Sequence, residues 1–251
     1  MIDKMELSNK ASTVRKMLGE DESSPIDIFS LVQTIEKLTL VVYPLGDNIS
    51  GACIRNRLSS LIVVNSDMSL GRQRFSLAHE LYHYYFDQDS DSIICAKKIG
   101  KGNEKERSAD QFASYFLVPS AALYAATRKY EKSPTDKLSL NDIIRLEQYF
   151  GISHQAMLIR LQDESELMPT DVASMQGGIS SAAARLGFDT SLYKPTEDGK
   201  KMKVLGHYIC QAENLLDKDM ISQGKYEELL LDAFRDDIVY GLESEEGIIV
   251  D

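Results

Sequence analysis

The segment RFSLAHELYHYYF, residues 74–86, constrains this chain more than any other. Its apolar residues recur at helical spacing, and on a helix positions four apart lie on one face, one turn from each other. His79 and His83 therefore direct two imidazoles toward one point, with Glu80 beside it. This is the HExxH arrangement. Neutral imidazole nitrogen suits zinc at about 2.0–2.1 Å, and a neighbouring carboxylate takes a proton from a zinc-activated water. The bland alternative is a pair of surface histidines on an amphipathic helix. Against it, Leu77, Ala78 and Leu81 supply apolar packing around the motif, and the motif uses two of only four histidines in the chain.

A catalytic zinc needs a third protein ligand and an open fourth position. The run EKERSADQFASYFLVP, residues 104–119, offers one on a second helix. Glu106 stands 23 residues beyond His83, and Asp110 lies four residues further on the same helical face. That spacing predicts Glu106 on the metal and Asp110 accepting a hydrogen bond from the outward nitrogen of a ligand histidine, which fixes ring and tautomer. Without the histidines, Glu106 would read as an acid favoured by the helix dipole in a first turn. Glu104 competes for the ligand role but has no carboxylate four residues on.

Elsewhere the pattern predicts an α+β protein. Thr39–Tyr43, Ser50–Arg55 and Ser60–Asn65 read as strands of a small antiparallel sheet packed on the active-site helix. Helical pattern runs from Ile26 to Leu38 and over much of the chain after the sheet, including a pair at 140–150 and 153–161 with Gly151 at the turn. A polar loop is expected from Gln88 to Asn103, with a short strand at Ser92–Ala96. Gly, Ser and Pro cluster between about Met168 and Met202, which predicts a boundary. The expected division is an N-terminal helical extension at 1–25, a metallopeptidase domain at 26–166 and a C-terminal helical region at 167–251. The last is expected to form a hairpin over 205–240, docked on the rest and dispensable for metal binding.

Composition excludes several classes. With a net charge of −11 the chain is repelled by phosphate backbones, which argues against nucleic acid as the main ligand but leaves a basic partner protein open. No stretch reaches the roughly 20 apolar residues of a membrane span, and the polar N-terminal segment lacks a signal-peptide core, so a cytoplasmic location is expected. Cys53, Cys95 and Cys210 form no CxxC pair and read as ordinary thiols. The helix pair at 140–161 has a helix-turn-helix outline, but between Leu138 and Asp163 it carries two arginines against three acids. A DNA reader wants a basic face, so the pair reads as packing.

Two blocks, IVVNSDMSLGRQRFSLAHELYHYYF (62–86) and ERSADQFASYFLVP (106–119), resemble the ImmA/IrrE metallopeptidases in order and spacing. A weaker likeness extends through the helix pair, so that roughly residues 26–165 are covered. The resemblance implies a minimal thermolysin-like zinc fold. It implies a zinc endopeptidase that cleaves a protein substrate, a helix-turn-helix repressor or an antitoxin-like regulator. It also supports Ile62, Val63, Val64 and Asn65 as an edge strand that pairs with extended substrate. Tyr82 and Ser108 depart from the family pattern, where Gly and an acidic residue are common, but neither removes a ligand. The rivals are a non-catalytic regulator or toxin-type protein that retains the zinc site, and a DNA-binding regulator. A retained Glu80 argues against the first, and acidity against the second.

Overall fold

In a computed structural model the described residues are 3–87, 92–96, 99–100, 102–130 and 137–241. Part of the loop expected from Gln88 to Asn103 lies outside them. One five-stranded sheet forms the frame, from β1 (Leu38–Tyr43), β2 (Ile49–Arg55), β3 (Ser60–Asn65), β4 (Ser92–Ala96) and β5 (Lys203–Gly206). Its order is β4-β2-β3-β1-β5. Three of its pairings are antiparallel, and β1 runs parallel to β3.

The inner face of the sheet follows from strand alternation. Leu40, Ile62 and Cys53 stand in one row, and Val42, Val64 and Gly51 in the next. Against them packs α3 (Leu70–Phe86), which carries HELYH, with Leu77, Ala78 and Leu81 fully buried. On the far side of α3 lies α4 (Glu104–Leu117), and against α4 packs α1 (Lys4–Met17). One core runs through all these layers, from Leu7 and Val14 of α1 to Phe112 and Phe116 of α4 and Ile62 of β3.

The N-terminal helix is therefore part of this core rather than an extension. Arg15 is 1% exposed, and its guanidinium donates to the carbonyls of Phe116 (2.6 Å), Asp21 (2.7 Å) and Ser24. An asparagine side chain caps α4 in turn, with Asn103 accepting from the Glu106 amide at 3.0 Å. The stretch expected as one helix from Ile26 is shorter, α2 (Ile28–Gln33), and it is followed by Lys37 at φ 62°. An uncalled α5 (Ser120–Arg128) follows Pro119.

Ile62, Val63, Val64 and Asn65 do not form a sheet edge. β3 is paired on both sides, with β1 and with β2, so no main-chain groups are left for substrate. Asn65 is fully buried and works as a brace. Its side chain donates to the carbonyls of Gly46 and Ile49 at 2.7 Å each and accepts from the amides of Leu45 and Asp67 at 3.0 Å. The edge on this side of the sheet is β4.

The helix pair, α6 (Leu140–Phe150) and α7 (His154–Asp163), packs into the core as expected. Arg160 of α7 is fully buried, donating to the Val118 carbonyl at 3.0 Å and the Ser120 hydroxyl at 2.8 Å. His154 bridges Glu147 (2.5 Å) and the Met175 carbonyl (2.8 Å), a structural role.

Beyond residue 166 the expected separable helical region is instead tied to the sheet. β5 adds an edge strand to β1, and the Leu70 amide at the start of α3 donates to Lys194 O at 2.9 Å. Gln73, buried in α3, donates to Thr196 Oγ1 at 3.0 Å. The hairpin of α8 (His207–Asp217) and α9 (Gln223–Asp232) does form, around a small cluster of Ala212, Tyr226 and Leu230. The second helix of the hairpin ends at Asp232, before Phe234 at φ 55°, and a short α10 (Asp236–Tyr240) continues. No helix of the described residues is long and apolar enough to cross a membrane.

A chain cut after residue 166 loses the strand that covers β1 and the partners of the first turn of α3. It is expected to aggregate through the freed edge or to melt well below the full chain, by on the order of several kcal/mol of lost burial. Size-exclusion chromatography and thermal unfolding check this. A monomeric fragment with the full chain's Tm would show that the sheet does not depend on β5.

Candidate metal centre

The motif helix presents its two histidines to α4. His79 Nε2 lies 3.2 Å from His83 Nε2, and 3.4 Å from Glu106 Oε2; His83 Nε2 lies 3.4 Å from Glu106 Oε1. Two ring nitrogens and the two oxygens of one carboxylate thus face one another at 3.2–3.4 Å. Ligands at 2.0–2.1 Å around a tetrahedral ion stand about 3.3–3.4 Å apart. The donor set therefore fits a divalent metal such as zinc both in chemistry and in spacing.

Each imidazole turns its other nitrogen to a carboxylate. His79 Nδ1 is 2.8 Å from Asp110 Oδ1, and Asp110 Oδ2 also accepts from the Gly100 amide at 2.6 Å. His83 Nδ1 is 3.5 Å from Asp87 Oδ2, and Asp87 is itself paired with Lys105 at 2.7 Å. The hydrogen bond to Asp110 fixes which His79 nitrogen would face a metal, whereas Asp87 lies beyond hydrogen-bond geometry from His83 Nδ1. Asp110 stands where the sequence pattern put it. Asp87 was missed, although it follows His83 by the same four residues that separate the two histidines.

Electrostatics around the histidines favour a cation. Burial opposes charge on His79, but hydrogen bonds to Asp110 and Glu106 outweigh it and raise its pKa. The positive charge held there by protonation is one that a bound metal supplies instead. Burial, and the neighbouring His79, lower the pKa of His83, which leaves it a neutral donor. Glu106, hydrogen-bonded to His79, is lowered and stays ionised.

Glu80 is fully buried, and neither of its carboxylate oxygens has a partner of hydrogen-bond geometry, although the Cys95 thiol lies close enough to lower its pKa somewhat. Burial pushes its pKa up to about 7. The space it occupies exists because residue 51 is glycine: a Cβ there would lie 2.8 Å from Glu80 Oε1 and 2.8 Å from Val63 O. Gly102 does the same for Glu106. Its φ is +108°, and a Cβ would come within 2.9 Å of the Glu106 Cβ.

Cys95 reads in the sequence as an ordinary thiol, yet its sulfur joins the donor atoms of His79, His83 and Glu106, all within 4.8 Å of one another. Burial and the carboxylates of Glu80 and Glu106 push that thiol above its usual range. No spacing rule signals this residue, because it reaches the site from the sheet and not from either ligand helix. The aromatic cluster is core: Tyr82 packs on Phe86 and Phe112 at 5.5 and 5.7 Å between ring centres. Arg74 ties α3 to the Ile26 carbonyl and to Asp27 (3.3 Å), an anchoring role.

Replacing Asp110 with Asn keeps the size but removes the charge that holds the His79 ring. Metal affinity is expected to fall about 10–100-fold, measured by competition with a chromophoric chelator. Unchanged affinity would mean that Asp110 plays no part in orienting the ligand.

A comparison with curated proteins finds no match. The family model Peptidase M78, described as an IrrE N-terminal-like domain, matches residues 37–162, half of the chain. That span runs from β1 to the end of α7 and contains His79, Glu80, His83, Cys95, Glu106 and Asp110. The chain belongs to this metallopeptidase-type family, Peptidase M78, through its IrrE N-terminal-like domain.

Proposed function

We propose that this protein is a zinc-dependent endopeptidase that cleaves a peptide bond in a regulatory protein. The observation that carries the reading is Glu80. A buried carboxylate with no partner is costly to maintain, and here it lies beside three converging metal ligands. A structural metal site has no use for such a group, whereas hydrolysis needs a base at that place. His79, His83 and Glu106 would hold the ion. Zinc in such a site lowers the pKa of a bound water to about 7 and polarises a carbonyl. Glu80 takes the proton from the attacking water and returns it to the departing amine. Asp110 keeps the His79 imidazole oriented throughout.

Substrate approach follows from the sheet. β4, which β2 alone pairs among the described residues, carries Cys95 at the site, and an extended peptide adds to its other side as a further strand. Ile94, 68% exposed on β4, offers an apolar contact to that strand. A helix-turn-helix repressor or antitoxin-like regulator is the substrate class that the family resemblance supports. Such DNA-binding proteins are basic, and the net charge of −11 favours their encounter.

Glu80→Gln is expected to keep the metal and the fold while cleaving at least about 100-fold more slowly. The test is to incubate wild type and variant with an unfolded protein and with a helix-turn-helix repressor, with and without chelator. Cleavage by the variant at the wild-type rate would remove the base assignment, and no cleavage by metal-loaded wild type of either substrate would sink the reading. The base must be ionised, and burial raises Glu80 to about 7. Wild-type kcat/KM is therefore expected to rise with pH along a limb at or below about 7, because a bound cation lowers that value. A pH–rate profile flat from 5 to 8 would contradict it.

A further inference from the structure

Cys95 does not sit as a core cysteine sits. Its side chain is fully buried, but its neighbours are the carboxylates of Glu80 and Glu106. Strand alternation explains why. Cys95 is paired with Gly51, the residue whose missing side chain makes room for Glu80, and so it shares the face that looks at the motif helix. Ile94, next to it, points outward. The pairing of β2 with β4 shifts register between Ile49 and Gly51, which leaves Ser50 as an extra residue opposite the Cys95–Ala96 step. Bulges of this kind re-aim a side chain. The Ser50 hydroxyl holds the bulge by donating to the Cys95 carbonyl at 3.3 Å. The effect is to bring a fourth donor atom, a sulfur, within 4.8 Å of His79, His83 and Glu106.

We propose that Cys95 Sγ is the fourth protein ligand of the metal centre in the resting chain, closing the position that peptide hydrolysis needs open. This rests on the metallopeptidase reading and adds regulation to it. Thiolate is a strong zinc ligand, at about 2.3 Å, and sites with four protein ligands are closed. The remaining gap closes with a small movement of a five-residue edge strand that β2 alone pairs among the described residues. The same strand is where substrate adds. Pairing on its free side draws β4 outward and takes the sulfur off the metal, so the site opens when substrate is in place. The exchange breaks one metal–sulfur bond. The sulfur leaves with its electron pair, and one water molecule supplies both the replacing oxygen and the proton that the sulfur takes up.

The full chain loaded with cobalt(II) in place of zinc tests this by absorption, because thiolate bound to cobalt gives an intense charge-transfer band in the near ultraviolet. Wild type is expected to bind one equivalent and show the band. Cys95→Ala and Cys95→Ser are expected to bind one equivalent and lose it, while Cys53→Ala, at the other buried cysteine, keeps it. The zinc-loaded Cys95→Ala protein is expected to cleave an unfolded protein at least about tenfold faster than wild type. One equivalent of cobalt in wild type without the band, or a band that survives both Cys95 changes, overturns the proposal and leaves the three-ligand centre standing. A lost band with no gain in cleavage overturns the closing role. Wild type that binds no cobalt overturns the metal centre itself.

Discussion

Charge balance around α3 is the constraint on which the rest depends. Glu80, Asp87, Glu106 and Asp110 converge on two imidazoles in a region mostly closed to water. Lys105 answers Asp87 at 2.7 Å. The remaining three carboxylates cannot share a buried space without positive charge among them. A divalent ion held by His79, His83 and Glu106 would supply it. The surrounding architecture serves to keep these groups from moving apart: the sheet backs α3, α4 faces it, and α1 clamps α4 through Arg15.

Much of this centre was legible in the sequence because it rests on helical periodicity. His79 to His83 and Glu106 to Asp110 are four-residue steps, and a helix turns such steps into shared faces. That the two pairs meet depends on packing of α3 against α4, which spacing does not encode but the family resemblance supplied. Cys95 and Gly51 escaped because a sheet brings distant residues together by register, and the register here includes a bulge. The substrate strand was misplaced for the same reason. SLIVVN carries four consecutive apolar residues, which speak for burial of both faces but not for a place in the sheet, and β3 lies between β1 and β2.

The C-terminal part misled in a different way. Glycine and serine between residues 174 and 187 look like a linker, yet Ala182 and Ala183 there pack on Ile144 of α6. Small residues mark close approach as readily as flexibility. The four residues of β5 carry too weak a strand signal to outweigh the helical pattern that follows, and only pairing with β1 makes them a strand.

The long reach of that pairing sets an order of events during synthesis. β1 leaves the ribosome early, but its neighbour β5 is made over 160 residues later, as the Thr39–Tyr208 contact across 169 positions shows. The first turn of α3 likewise waits for Lys194 and Thr196. Contacts so distant in sequence form late and slowly. A nascent chain therefore carries both histidines long before it can hold them rigidly, and an incomplete product of translation lacks the framework for its own chemistry.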